Sequence, residues 1–207
     1  MIKSENKNAI DAPFLSNHDQ GRSAGYFSKS LAKTKMAAGM YLTMSGNAFI
    51  YYGEEIGLTG SAKDEDKRGP MYWSATDKTG MTSGPPDMDK PTYIYPAEDA
   101  QDKDKNSLLN YYKAAIKLRN DNPGIERGVI SIIGGIKDKY ISAVTKTYNG
   151  SKTIIVYNTS ASAKTLSLSK AKNHYSSLKG YLSSNGKAVT LMGEKLSLPP
   201  MSIAVLK

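Results

Sequence analysis

Residues 11–22 read Asp11-Ala-Pro-Phe-Leu-Ser-Asn-His-Asp-Gln-Gly-Arg22. A short apolar run, Pro13-Phe14-Leu15, stops abruptly at Asn17-His18-Asp19, and a long helical pattern follows Arg22. Apolar strand, polar corner, helix is the order of one βα unit. In parallel α/β barrels, chemistry sits on side chains where a strand ends and its loop begins. His18 and Asp19 would stand at such a corner, close to Arg22. The same residues also have a plainer use, because Asn17 and Asp19 can cap a helix or close an Asx-turn. The triplet alone leaves both readings open.

Working outward, the spacing predicts a helix over 26–45. Ala37, Met40, Tyr41 and Met44 recur at helical intervals, and Leu31, Ala32 and Met36 widen the stripe. The methionines read as core filler, and Gly46 suits the helix C-terminal cap. Residues 48–52 form a continuous apolar run that suits a strand buried on both faces of a parallel sheet. Glu54 and Glu55 follow. Successive side chains of an extended chain point to opposite sides, so this pair reads as structural hydrogen bonding before acid/base chemistry. Residues 57–104 show no sustained period and read as a long functional loop. Within it, Lys63-Asp-Glu-Asp-Lys-Arg68 reads as a solvated, self-compensating charge run, since calcium-loop spacing is absent. Trp73, the single tryptophan, offers a face for stacking on a sugar or for packing in a core. A second helix is predicted over 106–120, ended by Asn-Asp-Asn-Pro-Gly124.

From about residue 128 the helical period gives way to short β-rich runs and turns. Strands are expected at 129–133, 140–147, 153–158, 166–168, 189–191 and 202–206. Asn149-Gly150 signals a type I′ hairpin, and Asn185-Gly186 another turn. These runs describe an antiparallel β-sandwich of about 80 residues.

The bounds set by composition agree. The 207 residues suffice for one or two domains with real cores. The sequence contains no cysteine, which excludes disulfides, thiolate metal sites and a cysteine nucleophile. No run of about 18 apolar residues is present to span a membrane. Residues 1–10 are polar and read as a frayed end or the tail of a preceding segment. They contain no signal-peptide core, so either the chain is cytosolic or this is not its natural start. The net charge of +9 raises nucleic acid as a partner. Yet only Arg22, Arg68, Arg119 and Arg127 are arginines, and the lysines are scattered, as on a solvated surface. No nucleic-acid partner is expected.

Five stretches carry a resemblance. Phe-Leu-Ser-Asn-His-Asp-Gln-Gly-Arg22 resembles the fourth signature region of the α-amylase superfamily (glycoside hydrolase family 13), which closes the seventh strand of a (β/α)8 barrel. Phe49-Ile-Tyr-Tyr-Gly-Glu-Glu-Ile-Gly-Leu58 resembles the eighth strand. Arg68-Gly-Pro-Met-Tyr-Trp73 resembles the Arg-x-Pro-Met-x-Trp motif that follows it in bacterial members. Residues 107–123 look like the eighth barrel helix, and Leu198–Leu206 like the last strand of the family's C-terminal β-sandwich. The resemblance implies an α/β plus all-β chain, with the last two βα units of a TIM barrel in residues 1–127 and a β-sandwich domain in 128–207.

It further implies a retaining hydrolase of α-1,4-glucans such as starch and maltooligosaccharides. Asp19 matches the carboxylate that stabilises the transition state. His18 matches its substrate-holding neighbour, and Asn17, Arg22 and Trp73 fall in substrate-binding segments. The family's nucleophile and general acid lie on strands four and five, and neither motif occurs here. A complete barrel takes about 250 residues, so the chain is expected to be the C-terminal part of an enzyme and inactive alone. Its expected partners are an α-glucan and either the missing barrel part or a second copy as a dimer. No metal ligand or cofactor is expected in this chain, although calcium is common in whole family members. Secretion or cell-surface location is an expectation from resemblance only. The alternatives are a noncatalytic carbohydrate-binding fragment using Trp73, Tyr148 or Tyr181, and an oligo-α-1,6-glucosidase or transglycosylase of the same superfamily. A purely structural role for the β-domain is favoured over binding, because it has no tryptophan and no clustered acids.

Overall fold

The computed structural model describes residues 5, 6, 8–27, 29–173 and 175–207. The polar end expected at residues 1–10 therefore lies partly outside the described residues.

Residues 11–14 and 47–50 run side by side in the parallel sense. Asn47 N donates to Asp11 O at 2.8 Å, and Phe49 N donates to Pro13 O at 2.9 Å. Neither segment forms a regular strand. A parallel ladder needs a returning N–H from residue 13, and proline has none. The expectation that 48–52 is buried on both faces fails, since Phe49, Ile50 and Tyr52 are exposed. A central parallel strand is covered only when further strands and helices flank it, and here one neighbour is present.

Between these segments the helix expected over 26–45 divides. A short turn of helix, α1 (Ser23–Tyr26), is followed by α2 (Leu31–Leu42). Lys29 takes a left-handed conformation, φ 61°, which breaks the run. Ser30 then caps α2, its Oγ accepting from Lys33 N at 3.4 Å. The buried face of α2 carries Met36, Ala38, Tyr41 and Leu42, whereas Met40 and Met44 are exposed and not core filler. The C-cap is Thr43, not Gly46. Gly46 sits beyond it at φ 97°, where a Cβ would lie 2.2 Å from Asp11 O, so glycine lets the two extended segments approach.

The long loop holds a single 3-10 turn at Glu65–Arg68 and one short helix, α3 (Glu98–Lys103), that the sequence reading did not anticipate. Helix α4 (Leu108–Asp121) starts at Ser107, whose Oγ accepts from Asn110 N at 3.0 Å. It buries Leu108, Leu109, Tyr112 and Ala115. After the one-turn α5 (Gly124–Arg127) the chain becomes antiparallel β.

Five strands, β1 (Val129–Ile132), β2 (Ile141–Tyr148), β3 (Ser151–Asn158), β5 (Leu178–Ser183) and β8 (Ser202–Leu206), form one sheet in the order β1-β2-β3-β8-β5. Strands β4 (Lys164–Ser167), β6 (Thr190–Met192) and β7 (Lys195–Leu198) form a second, in the order β4-β7-β6. The one-turn helix α6 (Lys170–Asn173) lies between β4 and β5. Asn149 and Gly150 both have positive φ, 48° and 75°, and set the β2–β3 register at Tyr148 opposite Ser151. Strands β5 and β7 were not among the expected ones. Gly180 breaks the β5 pattern at a register shift, and its bare backbone admits the Leu118 side chain. β7 alternates buried and more exposed positions over only four residues, Lys195–Leu198.

The larger sheet is covered on both faces. Ile155, Tyr157, Ile203 and Val205 pack with α2 and α4 in one core. Ile154, Val156, Ala204 and Leu206 pack with Leu196 and Leu198 of the smaller sheet in another. Lysines hold the first junction together. Lys35 Nζ donates to Asn106 O and Ser184 O, and Lys146 Nζ to Thr43 O, Ser45 Oγ and Ile125 O. The reading of a wholly solvated lysine surface is corrected for Lys35, Lys67 and Lys146. All three are buried, because each satisfies carbonyls left open at an element's end or in a loop.

Candidate active site

The corner after the first extended segment is built by Asn17. Its Oδ1 accepts from Asp19 N at 2.9 Å and from Gln20 N at 2.7 Å, closing an Asx-turn. The next turn of helix is anchored elsewhere, since Ser23 N donates to Ser16 Oγ at 2.9 Å. Asn17 thus performs the plainer role suggested for it, and Asp19 caps nothing. The turn leaves His18 and Asp19 on the outside, with side chains 62 % and 67 % exposed. His18 Nε2 lies 3.2 Å from Asp19 Oδ2.

Two cations from the second loop meet this corner. Arg68 Nη2 stands 3.4 Å from Asp19 Oδ1. Lys67 Nζ donates to Asp19 O at 3.0 Å and to Asp64 Oδ1 at 2.7 Å. The Lys67 contact holds the Asp64 carboxyl below its ordinary value. Sequence reasoning missed both partners of Asp19. Arg68 had a signal, since it heads the Arg-x-Pro-Met-x-Trp string. Lys67 had none, because it looked like one charge among six.

Arg22 is placed differently from an open substrate-binding group. It is 2 % exposed, with Nε donating to Lys67 O at 2.9 Å and Nη1 to Tyr52 O at 2.6 Å. Its guanidinium lies 4.6 Å from the Tyr51 ring centre and 4.7 Å from that of Tyr52. Burial lowers its pKa against the opposing pull of these tyrosines. Arg22 N also donates to Gly60 O at 2.9 Å. The residue stitches the two loops together and forms part of the wall of a cavity of about 290 Å3 beside Ser61, Asp66 and Tyr93. No hydrogen bond or ion pair joins it to Asp19 among the described contacts. Trp73 is 48 % exposed, and its carbonyl accepts from Asp99 N at 3.0 Å.

Glu54 is buried and accepts from Tyr112 Oη at 2.7 Å and Tyr41 Oη at 2.9 Å. Burial raises its pKa and the two phenols pull it back. Glu54 serves packing, as the alternation argument expected. Among the described residues, no group of three or more His, Asp or Glu side chains is gathered as a metal site. No helix among them is long and apolar enough to cross a membrane.

What this arrangement can do is limited. An exposed carboxylate can accept from one sugar hydroxyl while the imidazole beside it donates to another. Such a pair could hold a hydroxylated ligand, but its own loop brings no second carboxylate to break a bond.

The family described as "Alpha amylase, catalytic domain" matches residues 1–128. Alpha-amylase 3 of Dictyoglomus thermophilum is 35 % identical over 162 residues, covering 76 % of this chain and 32 % of that protein. Alpha-amylase SusG of Bacteroides thetaiotaomicron is 34 % identical over 167 residues, covering 77 % of this chain and 24 % of that protein. Among solved structures, Eubacterium rectale Amy13B superposes with a TM-score of 0.94 at 37 % identity, over 100 % of this chain and 40 % of that one. The chain therefore spans a third or less of the length of these curated relatives.

Proposed function

This chain belongs to the α-amylase catalytic-domain family, and on that premise we propose that it is the C-terminal part of a retaining glycoside hydrolase acting on α-1,4-glucans. Residues 1–127 contribute the last two βα units of the barrel, and 128–207 the C-terminal β-domain. The single observation that carries this reading is the His18–Asp19 pair. It stands exposed and in mutual contact at the end of the first extended segment, where a barrel presents its chemistry.

Asp19 acts as the transition-state stabiliser. A charged acceptor on ring hydroxyls gains strength as positive charge develops on the sugar. His18 donates to a neighbouring hydroxyl. Asn17 sets the turn, Arg22 ties the loop beneath it, and Trp73 offers an aromatic face to substrate. Retaining hydrolysis needs a nucleophile and an acid/base carboxyl about 5–5.5 Å apart, and both must come from a companion polypeptide segment.

The companion also has a surface to cover. A groove of about 670 Å3 is lined by Pro13, Met40, Met44, Ile130, Val144 and Tyr157, and Phe14, Phe49 and Ile50 are exposed beside the extended segments. The missing barrel part is the occupant we favour over a second copy. The test is a chimera in which this chain follows the part of Amy13B ahead of the matched region. We expect the chimera to release reducing sugar from soluble starch and to leave isomaltose largely intact, while the 207-residue chain alone cleaves neither substrate. Turnover of starch by the isolated chain would refute the proposal, and preference for isomaltose would move it to the α-1,6-glucosidase reading.

A further inference from the structure

Resting on the reading of Asp19 above, we propose that Lys67 is a positioning residue for it: its buried ammonium, from the loop after the second extended segment, grips the Asp19 carbonyl and fixes the carboxylate at the corner. The carboxylate cannot be fixed by its own partners. His18 at 3.2 Å and Arg68 at 3.4 Å are both solvent-exposed, and exposed pairs of that kind hold geometry weakly. What is fixed is the main chain on either side of the Asp19 Cα. Its N–H is held by Asn17 Oδ1 at 2.9 Å, and its C=O by Lys67 Nζ at 3.0 Å.

Lys67 is itself fastened at both ends. Its ammonium is neutralised by Asp64 at 2.7 Å, and its own carbonyl receives Arg22 Nε at 2.9 Å. Arg22 reaches the same loop again through its N–H to Gly60 O. Gly60 has φ 146°, and a Cβ there would lie 2.1 Å from Asp66 O, so only glycine lets the loop fold this tightly. A buried ammonium is costly to desolvate. A lysine at this point makes sense if the bond to Asp19 has its own use. The corner after one segment is then set by the loop after the next.

The test has two parts. In the full 207-residue chain, amide hydrogen exchange is followed at Asp19, Gln20 and Arg22 in Lys67→Met and Lys67→Arg variants. We expect Lys67→Met to speed exchange there roughly tenfold while the α2 amides and the melting temperature hold. Lys67→Arg should restore slow exchange, because a guanidinium can still donate to the carbonyl. In the Amy13B chimera, Lys67→Met should lower kcat roughly tenfold or more with KM little changed, since a misplaced stabiliser mainly affects the transition state. Unchanged corner amides and unchanged kcat in Lys67→Met would overturn the proposal. So would a general loss of protection and melting temperature, which marks a merely structural role. A chimera silenced by Asp19→Asn but indifferent to Lys67→Met would sink this inference alone. A chimera indifferent to Asp19→Asn would sink the functional reading, and this inference with it.

Discussion

Glu54 shows how a residue that looks catalytic is turned to structural use. It follows an extended segment, as a barrel's acid or base would, yet its carboxyl is buried under two phenols. Burial favours the neutral acid, and the Tyr112 and Tyr41 hydroxyls favour the anion. Removing one donor leaves a buried acceptor short of a partner. Tyr112→Phe should therefore cost about 1.5–3 kcal/mol, measured by urea unfolding of the chain. Asp19 is the opposite case, exposed and only loosely paired, so Asp19→Asn should leave the unfolding midpoint nearly unchanged. At this scale the sequence was informative for side chains defined by their neighbours along the chain. The His18–Asp19 corner and the Asn17 turn are local, and short-range spacing describes them. Lys67 and Arg22 were not legible in this way, because the contacts that join their loops span 30 to 48 positions.

At the level of elements, the junction between α2 and the larger sheet depends on Lys146. Its ammonium is buried against the C-terminal end of α2, donating to Thr43 O, Ser45 Oγ and Ile125 O. Arg119 packs nearby, forking onto Leu42 O and Met44 O and lying 3.9 Å from Glu126. Burial and the Arg119 charge lower the Lys146 pKa to about 7, from an ordinary 10.5. The unfolded chain therefore binds the extra proton between these values, and stability rises with pH across that window. Below pH 7 both states are protonated and the penalty is present in full. The wild-type melting temperature should rise from pH 7 to pH 9 relative to Lys146→Met, read by scanning calorimetry. A parallel pair of curves would show that Lys146 does not titrate there. Element type was legible wherever a period ran long enough. The α4 stripe and the Asn149-Gly150 hairpin appear where expected, whereas β7 was missed although Lys195-Leu-Ser-Leu198 alternates, and Gly180 interrupts β5. The single long helix was an error of a different kind. Apolar spacing runs on through Tyr26, but the left-handed Lys29 and the Ser30 cap restart the backbone.

For the molecule as a whole, the unusual feature is the apolar surface left open beside the two extended segments. Phe14, Met40, Met44, Phe49 and Ile50 are exposed, and β1 offers an uncharged outer edge of Val129, Ile130, Ser131 and Ile132. Open edges and contiguous apolar patches favour association. Light scattering on the pure chain should show self-association that increases with concentration and is suppressed when the barrel part is supplied. A strictly monomeric chain at all concentrations would argue against the missing companion. The most direct trial of the sugar-holding role of the corner is kcat and KM on soluble starch for the Amy13B chimera and its Asp19→Asn variant. Loss of the carboxylate should lower kcat by about 100-fold or more, with the variant still folded and KM changed far less. A variant that turns over starch as fast as its parent would contradict the assignment of Asp19.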